Sequence, residues 1–400
     1  MAITAAQWTG RPCWAEIDLD ALAHNVRVLA ARAAPTRLMA VVKANAYGHG
    51  AVACGRAALE AGAAALAVVC VDEGEELRRA GITAPVVVLG HTPRSNAERV
   101  VALDLQPTVG DDAFVEALSR AAAARGATVP IHLELETGLN RHGLVPDALV
   151  ALAERARALP GIRVEGIFTH FAAAEEGDQR FTKRQFELLK GTAARVPWIP
   201  TRHCSASAST LLDPEMALDL VRPGLAMYGY KPAPWVGTED DLLPVMSLRA
   251  RVARVMEIGP GETVGYGRTW AASRRSRIAL VMCGYGDGYR RGFGNRSHVI
   301  VHGRRAPVVG RVAMDMCMVD ATAIPEVAPG DVVTLLGRDG VEKVDADELA
   351  TLADTISWEI LTAITGRVPR LYVRGGELVS VTTLNERKPV APAPPPAGRP

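Results

Sequence analysis

Leu38-Met39-Ala40-Val41-Val42-Lys43-Ala44-Asn45-Ala46-Tyr47-Gly48-His49-Gly50 is the stretch whose reading decides the fold. An apolar run with two adjacent valines stops at a lysine, and a turn with glycines and an aromatic leads into the alanine-rich run Ala51 to Ala61. That order reads as strand, turn, helix. Lys43 therefore sits at the C-terminal end of a buried strand. Apolar walls disfavour its ammonium form and free the neutral amine to attack a carbonyl, as in a Schiff base, or to accept a proton. A lone strand-end lysine can instead snorkel to water. Tyr47, four residues on and able to reach a phosphate oxygen, tilts the reading toward a site.

Working outward, Trp14 to Leu19 alternates as a short strand, and Asp18 or Asp20 can cap a helix that puts Leu22, Val26, Leu29 and Ala33 on one face. Strand-like runs then recur near residues 38–42, 65–69, 85–89, 104–108, 130–135, 163–168, 200–204 and 217–221, with helical stretches between most of them; Asp104 to Thr108 has the weakest pattern. About eight β/α units over roughly 220 residues is the size of a TIM barrel. The expected fold class is therefore α/β, a (β/α)8 barrel over residues 12–240, with the strand near 13–18 free to pack with a second domain instead. Past Gly229, Lys231 to Gly237 reads as a linker. Leu248, Ala250 and Val252 then alternate with arginines, and short valine-rich runs are bounded by glycine turns, which predicts a mostly β domain over 241–383 with one helix near Asp345 to Thr355. Residues 384–400, rich in Pro and Ala, read as a disordered tail.

With 45 basic against 44 acidic residues the net charge is +1, which gives no support to a nucleic-acid or membrane-surface partner. No secretory signal or apolar span of membrane length is present, so a cytoplasmic location is expected. The six cysteines are scattered without a Cys-x-x-Cys pair, so no metal site or disulfide framework is expected.

In a TIM barrel the chemistry gathers at the C-terminal ends of the strands. Lys43 follows the first run, Glu136 and Arg141 the fifth, His170 the sixth, Ser207 the seventh, and Arg222 with Gly224 the eighth. The loops after the seventh and eighth runs, His203 to Ser209 and Val221 to Leu225, combine small residues, hydroxyls and free amides where barrels cradle phosphate. Singly, each has a blander reading: His170 as a core histidine, Arg222 as a surface charge, the serines as caps. Together at one rim they mark a site.

The lysine segment resembles that of pyridoxal-phosphate enzymes built on an α/β barrel. The likeness narrows with six further motifs in order: Glu136-Thr137-Gly138-Leu139-Asn140-Arg141, Thr169-His170-Phe171, Val221-Arg222-Pro223-Gly224-Leu225-Ala226-Met227-Tyr228-Gly229, Gly265-Tyr266-Gly267, Gly284-Tyr285-Gly286-Asp287-Gly288-Tyr289 and Gly310-Arg311-Val312-Ala313-Met314-Asp315. With these the chain, from about residue 12 to about 380, resembles the alanine racemase family. A racemase needs bases on both faces of a planar intermediate. The resemblance implies that Lys43 carries pyridoxal 5'-phosphate and serves the D-substrate, while Tyr266, donated by the partner in a homodimer, serves the L-substrate. It implies Arg222 at the pyridine nitrogen, His170 linking Tyr266 to Arg222, and Tyr47, Ser207 and the amides of Gly224 and Leu225 at the phosphate. Arg141 and the partner's Met314 and Asp315 region would hold the carboxylate of alanine. Tyr285, Arg291 and Arg311 match positions lining the substrate entrance, and the product D-alanine would supply bacterial wall synthesis.

Two positions depart from the family pattern. Where many members carry a lysine modified to a carbamate, this chain has Glu134, which supplies a carboxylate directly as a partner for Arg141. Where a tyrosine commonly stands near the phosphate, this chain has Trp358, whose one N–H donor and greater bulk change phosphate grip and pocket size. Other readings are a racemase of serine or of broad specificity, since an apolar pocket discriminates a hydroxyl weakly, a barrel decarboxylase, which Arg222 opposes, and a non-catalytic cofactor carrier, which has no use for a β domain or Tyr266.

Overall fold

The computed structural model describes residues 7–236 and 242–384. It forms two compact units. One comprises Ile17–Ser247 and Ala346–Thr362; the other holds the N-terminal segment through Glu16, Leu248–Asp345 and the chain from Ala363 onward. The expected tail falls outside the described residues except for Leu384, and the expected linker is described as far as Val236.

Strand β1 (Cys13–Asp18) runs into the helix Leu19–Ala33, where the Asp18 carboxylate accepts from the amides of Asp20 and Ala21 and satisfies donors of the first turn. Leu22, Val26, Leu29 and Ala33 are buried along one face, as their spacing predicts. Eight parallel strands follow: β2 (Arg37–Val41), β3 (Ala65–Val68), β4 (Val86–Val88), β5 (Gln106–Val109), β6 (Val129–Glu134), β7 (Ile162–Phe168), β8 (Thr201–His203) and β9 (Leu220–Val221). Each pairs with the next from β2 to β8, and β9 pairs with β2. Between β8 and β9, Asp219 N donates to Arg202 O at 3.1 Å and Arg222 N to Ser205 O at 2.7 Å. The result is a nearly closed eight-stranded barrel. Its strands are near-continuous apolar runs, such as Leu38 to Val41 and Val86 to Val88, because helices cover the outside and side chains fill the inside. The fourth run begins later than its pattern suggested, since Asp104 has φ +49° and belongs to the turn before β5.

The turn after β2 is unusual. Ala44, Asn45, Ala46 and Tyr47 all have φ between +52° and +54°, a single left-handed turn without a glycine, and Gly48 (φ +84°) ends it. A Cβ on Gly48 would lie 2.4 Å from the carbonyl oxygen of Leu361. Leu361 belongs to the helix Ser357–Thr362, which with Ala346–Leu352 forms the late segment of the barrel unit. The sequence placed one helix in this region; the structure has two, separated by Asp354 at φ +52°.

The second unit is mostly β, as expected. Its strands are β10 (Met246–Ile258), β11 (Thr263–Val264), β12 (Trp270–Ala271), β13 (Ser276–Val281), β14 (His298–Val301), β15 (Arg304–Val309), β16 (Cys317–Asp320), β17 (Val332–Asp339), β18 (Glu342–Val344), β19 (Arg370–Arg374) and β20 (Glu377–Thr382). The main sheet runs β18-β17-β14-β15-β16-β13-β10-β1-β19-β20, and an extra β17–β10 pairing closes six of these strands into a ring. β1 lies in this sheet, and Trp14 packs with Leu371 beneath Trp8, Val332 and Leu378.

Gly48→Ala should lower the melting temperature by several degrees more than Gly126→Ala, measured by thermal unfolding. Both sites have positive φ, but nothing lies within 4 Å of a Cβ at Gly126. Equal losses would mean that the Leu361 contact costs nothing to displace.

Candidate active site

The left-handed turn presents Lys43 at the end of β2. It is held by Ala44 N donating to Glu73 Oε1 (2.7 Å), by Ala51 N donating to Asn45 Oδ1 (2.9 Å), and by His49 Nδ1 donating to the carbonyls of Ala46 (2.9 Å) and Tyr47 (3.0 Å). Lys43 is half-buried, and its amine makes no hydrogen bond or ion pair among the described residues. Burial, then the charge of Arg141 and also that of Arg222, pull its pKa below the usual lysine value, against an opposing pull from Glu73.

The same turn drives Tyr47 inward. Its ring is buried 4.9 Å from that of Tyr228, whose hydroxyl donates to Val41 O at 2.9 Å. The Tyr47 hydroxyl lies over Gly224, where a Cβ would be 2.5 Å away. Burial pushes its pKa up to about 12, so it remains a neutral donor. Beside it, Ser207 Oγ accepts from Gly224 N (3.0 Å) and Ala226 N (3.1 Å), which leaves the serine O–H to donate elsewhere. Gly224 N is thereby engaged within the protein, and Leu225 opens a short 3-10 turn. Half-buried Trp358 lies on the helix Ser357–Thr362 that abuts Gly48.

Arg222 is 3% exposed. Its Nη1 donates to His203 Nδ1 (2.8 Å), and its Nη2 donates to Thr169 O (2.9 Å), to Cys204 O (3.2 Å) and, at 3.4 Å, to His170 Nδ1. Its guanidinium lies 5.2 Å above the Phe168 ring. Burial lowers its pKa to about 10, so it stays a cation at neutral pH. Behind it, His203 Nε2 is 3.1 Å from His132 Nδ1, and His132 Nε2 is 3.2 Å from Gln106 Oε1. Burial first and the Arg222 charge second push His132 and His170 down to about 3 and His203 well below its ordinary value. All three imidazoles are therefore neutral. Glu134, 4% exposed at the end of β6, meets Arg141 Nη2 at 3.3 Å through Oε1, and its Oε2 is buried without a partner among the described residues.

The barrel unit thus gathers Lys43, Tyr47, Glu134, Arg141, His170, Ser207, Arg222, Gly224, Leu225 and Trp358. The remaining residues singled out from the sequence lie in the other unit. Tyr266 stands between Gly265 (φ +75°) and Gly267 (φ +73°) and is 72% exposed. Arg311 packs against Gly267, where a Cβ would meet its guanidinium at 2.9 Å, and the helical turn Arg291–Phe293 leads to Gly294 beside the Arg311 backbone. Tyr285 N donates to Ala313 O (3.0 Å) and Gly286 N to Met314 O (2.8 Å). Arg367 Nη2 donates to Asp315 Oδ1 (2.8 Å) and Met314 O (3.3 Å), and its Nε to the buried Asp287 (2.8 Å). Sequence reasoning assigned no role to His132, Gln106, Tyr228 or Glu73. His132, two residues before Glu134 on one strand, carried the only positional hint.

A parallel barrel with an amine of lowered pKa at one strand end, a buried cation and, among the described residues, rim hydroxyls whose O–H is left to donate defines an enzyme of carbonyl–amine chemistry. Comparison with known proteins agrees. Residues 17–232 match the alanine racemase N-terminal domain and residues 245–372 the alanine racemase C-terminal domain. The alanine racemase of Desulfosudis oleivorans is 44% identical over 90% of this chain and 97% of its own length, and that of Symbiobacterium thermophilum 43% identical over 92% and 98%. Among solved structures, alanine racemase from the D-cycloserine producer Streptomyces lavendulae aligns with a TM-score of 0.86 at 39% identity, covering 92% of this chain and 98% of that one. The Bacillus anthracis alanine racemase with bound L-Ala-P aligns at 0.87 and 35%, covering 94% and 99%. The chain belongs to the alanine racemase family, and its reaction is the isomerisation of alanine that defines a family known to use pyridoxal phosphate. Among the described residues, no helix is long and apolar enough to cross a membrane.

The neutral histidines make stability depend on pH. Each binds a proton in the unfolded chain below about pH 6.5, but in the folded one His132 and His170 do so only near pH 3 and His203 only well below its ordinary range, so stability rises with pH across that window. Urea unfolding should show stability falling between pH 7 and pH 5, by about 1.4 kcal/mol per pH unit for each such histidine once below its unfolded pKa. His132→Gln should remove one proton from that slope; an unchanged slope would place the uptake elsewhere.

Proposed function

We propose that Lys43 and Tyr266 of a second copy of the chain are the two bases of alanine racemisation, working on pyridoxal phosphate held at the rim of the barrel. The observation that carries this reading is the Lys43 amine, unengaged, lowered in pKa and backed by a buried cation. The donor set fits the cofactor. The Tyr47 hydroxyl makes no hydrogen bond among the described residues, the Ser207 O–H is left over from its two accepted bonds, and the side-chain-free Gly224 lets both approach the backbone leading to the Leu225 amide. These groups would hold the phosphate, with Trp358 beside them, and Lys43 would bind the aldehyde carbon. Bound there, the cofactor supplies an electron sink that acidifies the Cα proton of alanine.

Arg222 would face the ring nitrogen as a donor. Arg222 keeps its own proton, so it would leave that nitrogen unprotonated and the electron sink weak, which would favour return of a proton to Cα over side reactions. His170, bonded to Arg222 through Nδ1, has its other nitrogen available to the incoming phenol. Tyr266 needs no rearrangement to be donated, since its two glycines leave it projecting from the surface, and Met314 and Tyr285 are exposed on the same unit. Met314 and Asp315 of the second copy, with Arg141, would bind the carboxylate. Tyr285, Arg291 and Arg311 would line the way in. We place the reaction in the cytoplasm, with D-alanine passing to wall synthesis.

Lys43→Ala and Tyr266→Phe should each abolish racemisation in both directions, read by chiral chromatography. Heterodimers of the two variants, isolated with two affinity tags, should recover about half the wild-type rate per dimer, because one of the two symmetric sites is then whole. Inactive heterodimers would sink the shared site.

Glu134 is assigned as the fixed carboxylate that orients Arg141. Glu134→Gln should raise the KM for alanine about five- to tenfold with a smaller change in kcat. Unchanged kinetics would remove Glu134 from the site.

A further inference from the structure

Behind the guanidinium of Arg222 lies a chain of side chains, two buried histidines ending on half-buried Gln106, that the reaction as described does not use. Arg222 is donor-only, so the 2.8 Å contact to His203 Nδ1 makes that nitrogen the acceptor. A neutral His203 must then carry its hydrogen on Nε2 and donate it, over 3.1 Å, to His132 Nδ1. His132 must likewise carry its hydrogen on Nε2 and donate it, over 3.2 Å, to Gln106 Oε1. Every link runs one way. Turning the Gln106 amide around would set a donor against a donor at the far end and oppose the whole series.

Packing fixes the rings as firmly as the hydrogen bonds do. His203 is fully buried and stacks on Phe168 at 4.7 Å and 8°, the same ring that lies under Arg222. His132 passes over Gly166, where a Cβ would be 2.3 Å from its Nδ1. Gly166 therefore makes room for the imidazole on the neighbouring strand.

We propose that Gln106, His132 and His203 form a unidirectional hydrogen-bond chain that fixes His203 as an acceptor and so aims Arg222 at the cofactor's ring nitrogen, making His203 a positioning residue for racemisation. The proposal rests on the cofactor reading above. Of the five guanidinium N–H donors, His203 takes one on Nη1 and the two carbonyls and His170 engage Nη2. Nε and the second Nη1 hydrogen take part in none of these contacts and are the ones left to point outward. Without the acceptor at His203, Nη1 has a second hydrogen to satisfy in a buried place, and the plane of the guanidinium is no longer determined.

The test uses holoenzyme labelled with 15N-histidine. Its imidazole shifts should show His132 and His203 both as the Nε2–H form, unchanged between pH 6 and pH 9. His203→Leu should lower kcat about tenfold, leave the KM for alanine within about twofold, and shift the absorption maximum of the bound cofactor. His203→Asn, which places an acceptor oxygen near the position of Nδ1, should recover most of kcat and the original absorption. An Nδ1–H form of His203, or wild-type kcat and absorption in His203→Leu, would overturn the proposal. Should the leucine variant fail to fold, the asparagine variant and the tautomer measurement still decide it. A protein that binds no cofactor would instead lack the visible band in the wild type, a failure of the earlier reading that the histidine shifts tell apart from a failure of the chain.

Discussion

The left-handed turn from Ala44 to Tyr47 is the constraint on which the site depends. Each non-glycine residue in that conformation costs about 1–2 kcal/mol, and four stand in succession. The turn persists because its surroundings over-determine it. Burial of the β2 side chains, worth about 1.5–3 kcal/mol apiece for the larger ones, anchors its start. Glu73 and His49 bond its backbone groups, the Asn45 side chain ties it to the Ala51 amide at the start of the next helix, and the Leu361 carbonyl stands against Gly48 at its end. A right-handed turn would have continued β2 into an ordinary helix; the opposite hand puts Lys43 and Tyr47 on the rim together. This is strain held at a functional site by the fold around it.

Arg222 sets the electrostatics of that rim. A buried guanidinium with no carboxylate in hydrogen-bond reach among the described residues is costly to desolvate, and carbonyls, imidazoles and the face of Phe168 share the compensation. Its field acts on the groups around it: together with burial it lowers the pKa of Lys43, His170, His132 and His203. One permanent cation thereby helps keep the three imidazoles neutral, as hydrogen-bond acceptors must be, and draws the Lys43 amine toward its neutral form.

The barrel was readable because parallel strands covered on both faces leave continuous apolar runs, and the rim was readable because polar residues ended those runs. What could not be read depended on contacts between distant residues or on backbone hand. Ala44-Asn45-Ala46 reads as an ordinary turn or helix start; only the environment makes it left-handed. His132 and His203 are 71 residues apart and meet because adjacent strand positions converge inside the barrel. Trp358 sits in a stretch whose composition gives no sign that its helix belongs to the barrel unit, since that assignment is made by packing against Gly48.

That late helix bears on biosynthesis. The barrel unit is discontinuous: Ala346–Thr362 emerges from the ribosome only after almost all of the β unit, while Cys13 to Glu16, made first, must wait for β10 and β19 before it has neighbours in its sheet. Vectorial folding, in which an early domain closes before a later one is made, is therefore denied to this chain. Neither core is complete until Ala346–Thr362 and the strands β19 and β20 have been made, and until then the turn that follows the lysine lacks the helix that packs on it.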